Sequence, residues 1–271
     1  VVVFKIQEDM LGSPIGLVKS AVYRTSTAPV DLSVSGNTIV VADLMKSISV
    51  VETGRNQEFQ DEAKEVARHF ATVWTTAVAD IGLNQWLVGD AEGNLIVLQR
   101  NVDGVTDEDR RRLEVTSELL LGEMVNRIRP VNIPQTSTVA VTPKAFLGTV
   151  RLSLFFFPCY IIPAVADSSQ VEGSIYLFAQ INPEHQDFLM RLQTTIAAYV
   201  DSPGQMSFNK FRAFRSTVRE AEEPFRFVDG ELIERFLDCD NAVQEEILGL
   251  VGTNVNLETV QKMVEALRRL H

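Results

Sequence analysis

Ile39 to Glu52 reads IVVADLMKSISVVE, and the same order returns from Trp86 to Gln99 as WLVGDAEGNLIVLQ. Each stretch opens with an apolar run and passes through a small and a polar residue into a short turn. It then resumes apolar alternation behind Ser47 or Asn94. A third, interrupted copy is AFLGTV at Ala145–Val150 with EGSIYLFA at Glu172–Ala179. Asp43 and Asp90 lie about 47 residues apart, within the range of propeller blades. Many short strands also suit a β-sandwich, so the repeat alone leaves both folds open.

Working outward, Val30–Val34 alternates weakly and Ser35, Gly36 and Asn37 form a turn signal before the strand Thr38–Ala42. Two polar stretches, Gln57–His69 and Thr106–Leu113, read as helix-prone excursions between blades or as solvated surface loops. In the second, Thr106 can cap a turn that carries Asp107, Glu108 and Asp109 first and arginines last, the order the helix dipole favours.

Beyond about residue 180 the apolar period becomes helical. Asn182–Pro183 starts one helix, with Phe188, Leu189, Leu192 and Ile196 on one face. Asp229 starts a second with Leu232, Ile233, Phe236 and Leu237, and Val243, Ile247, Leu250 and Val251 mark a third that stops near Gly252. Asn256 caps a fourth, with Leu257, Val260, Val264, Leu267 and Leu270 inward. The expected fold is mainly β with an α-helical C-terminal domain: the last blades of a partial β-propeller over residues 1–180, then a small helical bundle over 181–271. Three blades cannot close a ring, and the apolar start at Val1, without an initiator Met or leader, reads as a cut inside a larger fold.

The 271 residues carry a formal charge of −11, which opposes generic binding to a phosphate backbone. The two cysteines, Cys159 and Cys239, form no close pair, which argues against a disulfide framework or a zinc site and fits a reducing compartment. The most apolar run, Leu152–Ala166, is shorter than the ~20 residues a spanning helix needs and is broken by Pro158 and Pro163.

Chemistry is hard to find. His69, His185 and His271 show neither metal spacing nor a nucleophile partner, and phosphate loops, dinucleotide fingerprints and nucleophile elbows are absent. No enzyme activity, cofactor, metal or small-molecule substrate is expected. One basic stretch, Lys210–Arg226, interleaves Lys210, Arg212, Arg215 and Arg219 with Phe208, Phe211 and Phe214. It suits single-stranded nucleic acid, or a segment whose rings enter the core while its cations stay wet.

Specific strings go further than periodicity. VADLMKSISVVE, GEMVNRIRP at Gly122–Pro130, FLGTV with EGSIYL, FVDGELIERFLD at Phe227–Asp238 and the ending VEALRRLH resemble the DNA damage-binding protein 1 family, along nearly the whole chain. The wider superfamily includes the large subunit of the cleavage and polyadenylation specificity factor and splicing factor 3B subunit 3. The DLM–Lys string and the Leu–His ending favour the damage-binding branch. One departure is the stretch Arg151–Val171, which separates two strings that run together in the family. Its Phe, Leu, Ser and Pro content matches a pyrimidine tract, so we expect translated intron, against a genuine hairpin loop.

The resemblance implies a scaffold of a cullin-4 RING ubiquitin ligase. Such a scaffold docks WD-repeat substrate receptors through a helical segment of theirs, and reaches ultraviolet-damaged DNA indirectly, through a receptor. The cullin would be held only by N-terminal parts absent from this chain. Carried over by position, the receptor surface comprises Leu44 and Lys46, then Trp74, then Met124, Val125 and Asn126, with Val150 beside them. The family usually has Arg at position 46 and Phe at 124. Simple core packing is the alternative for Trp74, Met124 and Val125. The expected location is the nucleus, with the cytoplasm second, and no membrane partner. The competing class is a nucleic-acid-binding subunit of an mRNA splicing or polyadenylation complex, acting through Lys210, Arg212, Arg215 and Arg219.

Overall fold

A computed structural model of the chain describes residues 1–132, 140–150, 175–200, 206–252 and 255–269; for 142–144 and 147–150 it describes the backbone alone. The stretch 151–171, with its expected intron origin, lies outside the described residues, as do Leu270 and His271.

Strands β1 (Val2–Glu8) and β2 (Pro14–Val22) form an antiparallel ribbon. A four-stranded meander follows: β3 (Pro29–Ser35), β4 (Thr38–Asp43), β5 (Ser47–Arg55) and β6 (Asp61–Arg68), hydrogen-bonded in that order. The second meander is β7 (Thr75–Gly82), β8 (Gln85–Asp90), β9 (Asn94–Arg100) and β10 (Leu113–Leu120). A three-stranded sheet, β11 (Val125–Asn132), β12 (Val141–Val150) and β13 (Ile175–Ile181), completes the described β structure. These are blade-type sheets, so the chain is a partial propeller-like β fold followed by helices, as the repeat and the change of period lead one to expect.

The central strands explain the repeat. Residues 39–43 of β4 and 86–90 of β8 are buried throughout. A strand covered on both faces is apolar along its length, as Ile39–Ala42 and Trp86–Val88 are, and the buried Asp43 and Asp90 close each run at the turn. At the rim the physics differs. The stretch Gln57–His69, helix-prone by composition, is an Asn56-based turn followed by β6, paired with β5 from Ser49↔Arg68 to Arg55↔Asp61 with one register shift between Val50 and Val51. Ladder hydrogen bonds and burial of Ala67 override the helical preference of its Glu, Lys and Ala residues. Thr106 caps the short α1 (Asp107–Arg111) as expected: its hydroxyl accepts from Asp109 N, and the Asp109 carboxylate accepts from Thr106 N.

In a meander successive turns alternate between ends. The β3–β4 and β5–β6 turns therefore share one end of their sheet and the β4–β5 turn lies at the other; β7 runs parallel to β3, as the Asp31–Val78 and Ser33–Asp80 bonds show, so the β7–β8 turn lies at the β3–β4 end. Thr53 N donates to Asn37 O at 2.8 Å, one step beyond the Thr38↔Glu52 pair of the β4–β5 ladder.

Five further helices carry the C-terminal part: α2 (Pro183–Tyr199), α3 (Phe208–Arg212), α4 (Gly230–Glu234), α5 (Asn241–Val251) and α6 (Leu257–Arg268). Their core joins Leu189, Leu192, Ile196, Ile233, Phe236, Ile247, Val260 and Val264. The helix expected from Asp229 is α4 plus one 3-10 turn, Arg235–Asp238. Leu250 departs from its expected inward face and is exposed, while Leu248 is buried in its place. The stripe runs 244, 247, 248, 251, and position 250 falls on the other side of a 3.6-residue turn.

The chain divides into two compact units, Val1–Ala91 with Ile96–Thr116, and Glu92–Leu95 with Ser117–His271. The boundary expected after residue 180 falls inside the second unit. Ala140 is part of the helical core, and Ile181 of β13 packs against it, so the switch from strand to helix changes the local period without breaking the packing. In the second unit Glu118 and Phe225 exchange two backbone hydrogen bonds, 3.0 and 2.9 Å, along the outer edge of β10.

Candidate protein-docking site

In the first unit the β4–β5 turn presents Leu44, Met45 and Lys46 to solvent. The turn is fixed from below. The buried Asp43 carboxylate accepts from Thr27 N at 2.7 Å, from the Thr27 hydroxyl, and from Met45 N at 3.2 Å. Burial by itself would raise this carboxyl, but the hydrogen bonds from Thr27, Met45 and Lys46 outweigh it and hold it below the usual carboxylate range. Leu44 N donates to Ala28 O at 2.9 Å. Ser47 closes the turn in the left-handed region, φ 60°, with its hydroxyl 2.8 Å from Nδ1 of the buried His69.

Ser47 N also donates to Val73 O at 3.0 Å, and Trp74 O accepts from Ala91 N at 2.8 Å. Lys46 and Trp74 thus flank one backbone hydrogen bond. Val73 and Thr75 point into the core, whereas Trp74 is 53% exposed. Its ring is a surface group on rigid backbone. The backbone at Lys46 and Trp74 is therefore brought together, and Leu44 and Met45, 40% and 44% exposed, stand on the same turn as Lys46.

The second unit holds the other expected residues. Val125 starts β11 opposite Val150, the last residue of β12, and the register shifts between Val125 and Arg127. Asn126 sits at that shift, where a bulge turns a side chain out of the ladder. Val125 is 1% exposed and belongs to the core, so it holds the strand in place; Met124 and Asn126 are half-buried at the surface. Just before them, Gly93 O accepts from Leu121 N and Gly122 N at 2.9 and 3.0 Å, and Gly122 adopts φ 91°.

The basic stretch is organised inward. Arg212, 1% exposed, is ion-paired through Nε to Asp229 at 2.7 Å and donates from Nη1 to Leu121 O at 3.2 Å. Asp229 also caps α4 by accepting from Glu231 N, and its own N–H donates to Gln193 Oε1 at 2.6 Å. Arg219 lies over the Phe214 ring, 4.2 Å from its centroid, and is ion-paired to Glu118. Arg215 stands 3.6 Å from Glu220. Lys210 is exposed. Rings do enter the core, as Phe208 and Phe214 show, but the reading of wet cations fails at Arg212. The sequence could not reveal that residue's partner, because Asp229 comes 17 residues later. Among the described residues no group of His, Cys, Asp and Glu could hold a metal ion, and no helix is long and apolar enough to cross a membrane.

Blade-type meanders followed by helices describe the class of partial propeller-like β folds. The chain belongs to the CPSF A subunit region family, which matches residues 1–238. It is similar to DNA damage-binding protein 1 of Oryza sativa subsp. japonica, 33% identical over 87% of this chain and 19% of that protein. DNA damage-binding protein 1a of Arabidopsis thaliana is 34% identical over 87% of the chain and 20% of the relative. DNA damage-binding protein 1 of Schizosaccharomyces pombe is 28% identical over 92% and 21%. The chain thus spans about a fifth of the length of the curated relatives it matches.

Proposed function

We propose that this chain is a protein-docking segment of an adaptor of the DNA damage-binding protein 1 kind, and that it acts without catalysis of its own. Its partners are WD-repeat substrate receptors, each contributing an amphipathic helical segment. The setting is a cullin-4 RING ubiquitin ligase in the nucleus, whose cullin is held by parts of the scaffold outside this chain. Damaged DNA is reached through a receptor. Among the cations of the basic stretch Arg212 is enclosed and Arg219 is paired, so no direct nucleic-acid contact is proposed.

The observation that carries this reading is Trp74, half exposed beside Leu44, Met45 and Lys46 on a turn pinned by Asp43 and Ser47. A large apolar group displayed on rigid backbone offers anchor area without an ordering cost, which is how hot spots work. Lys46 can meet the negative C-terminal end of a partner helix. In the second unit Met124 and Asn126, on backbone held by Val125 and the facing Val150 position, form the other proposed contact. Asn126 can bond partner backbone there. Calorimetric titration of an amphipathic receptor peptide tests the proposal. Trp74→Ala with Asn126→Ala weakens binding while the melting temperature holds, and an unchanged dissociation constant overturns it.

A further inference from the structure

The connection from β6 to β7 shows water more aromatic surface than its backbone path requires, and the repeat in the first unit supplies the comparison. Residues 23–28 link β2 to β3, and residues 69–74 link β6 to β7 over the same length. The two connections begin alike: Tyr23 N donates to Val1 O at 2.9 Å and His69 N to Ile48 O at 3.1 Å. They also end alike. Ala28 O accepts from Leu44 N, just past Asp43, and Trp74 O accepts from Ala91 N, just past Asp90. Arg24 and Phe70 therefore hold one position of the repeat, and Ala28 and Trp74 hold another.

All four side chains are exposed, Phe70 at 65% and Trp74 at 53%. The first connection closes the same backbone with an arginine and an alanine. Neither ring is therefore demanded by the path of the chain, and neither is buried enough to gain much from the core. Two large rings turned to solvent, where the sister connection does without them, mark an interaction surface.

The backbone under the rings is pinned at both ends. His69 is held by Ile48 O and, through Nδ1, by the Ser47 hydroxyl at 2.8 Å, while Val73 O accepts from Ser47 N at 3.0 Å. Residues 70–72 thus leave and return at adjacent residues of β5, whose Cα atoms are about 3.8 Å apart. Phe70 follows His69 and Trp74 follows Val73, so the two start from neighbouring points. Residues one turn apart on a helix, about 5–6 Å between Cβ atoms, can cover both rings. Lys46, the residue before Ser47, is exposed and enters no salt bridge among the described residues. A lone cation beside two rings is complementary to the end of a helix where carbonyls are free and the dipole is negative.

We infer that Phe70 is a second aromatic anchor beside Trp74, and that the pair takes apolar side chains at i and i+4 from the last two turns of a partner's helix, which ends at Lys46. This rests on the docking reading above. It adds a contact residue that the family strings do not contain, and a direction for the bound helix.

Calorimetric titration of the full chain tests it with two peptides of equal composition, each about 18 residues long so that a helix can form. One carries leucines at i and i+4 in its last two turns, the other in its first two. The first peptide binds about tenfold or more tighter than the second. Phe70→Ala, and Phe70→Arg, which copies Arg24, each weaken it about tenfold or more, the loss expected of an anchor. Their melting temperatures stay within about 2 °C of wild type, as for other surface changes. Undiminished binding by both Phe70 variants, while Trp74→Ala weakens it, overturns the inference and leaves the docking reading standing. Undiminished binding by Trp74→Ala as well, or no binding of either peptide, overturns both. Equal binding of the two peptides overturns the inference, and so does a larger fall in melting temperature, which makes Phe70 a stabilising residue.

Discussion

The carboxylate of Asp31 accepts a hydrogen bond from the backbone N–H of Val78, 3.2 Å away and 47 residues later in the chain. Ser33 Oγ does the same for Asp80 N at 3.1 Å, again over 47 residues. β7 is an edge strand of its sheet, and these side chains meet N–H groups that the ladder leaves open. One blade thus seats the next by one repeat length. Asp31→Ala removes the acceptor from a buried donor, so about 1–3 kcal/mol of stability should be lost. Urea unfolding checks this, and Asp31→Asn, which keeps an oxygen, should lose less.

Asp43 gives a pH signature. Its carboxyl lies below the ordinary range in the folded chain, because hydrogen bonds led by the Thr27 hydroxyl outweigh the effect of burial. A lowered native value means that the folded state favours the carboxylate. The stability this adds is present above the unfolded value, about 3.9, and is lost as pH falls through the native one. Thr27→Val should therefore be less stable than wild type at neutral pH, with the difference shrinking as pH drops below about 4. Thermal melts of both proteins across pH measure it.

Arg212 and Asp229 are 1% and 3% exposed. Removing one member strands a buried charge, so Arg212→Met or Asp229→Leu should each cost about 3–5 kcal/mol. The double replacement should cost less than the two losses added, since no charge is left unpaired. A double-mutant cycle by denaturant unfolding reads the coupling directly.

The proposed docking turn should behave oppositely. Lys46→Glu and Trp74→Ala alter exposed groups, so stability should stay within about 0.5 kcal/mol of wild type. Affinity for a receptor helix should fall at least about tenfold for Trp74→Ala if the ring is an anchor. Calorimetry paired with melting separates the two effects.

Much of this architecture was readable from residues. Ile39–Ala42 and Trp86–Gly89 declare themselves because a strand buried on both faces has no room for polar side chains. Asp61–Arg68 hides, because an outer strand half in water can be written with Glu, Lys and Ala, the alphabet of a helix. Leu250 was misread because an apolar residue next to a stripe looks like part of it until the helical phase is fixed by neighbours. At the site, the string around Asp43 marked the turn, but whether Trp74 packed inward or outward depended on which residues the turn and strand placed beneath it. Val125 shows the same ambiguity resolved the other way. Arg212 was unreadable: its environment is made by Leu121, Asp229 and Gln193, which are distant in sequence.

The paired backbone bonds between Glu118 and Phe225 have a consequence for handling and for turnover of the chain. They act as a plug on an otherwise open row of donors and acceptors along the last strand of a blade. A protease nick just upstream of position 225 would loosen that stretch and offer its free donors and acceptors to a strand of another molecule. The nicked chain should therefore associate edge to edge more readily than the intact one.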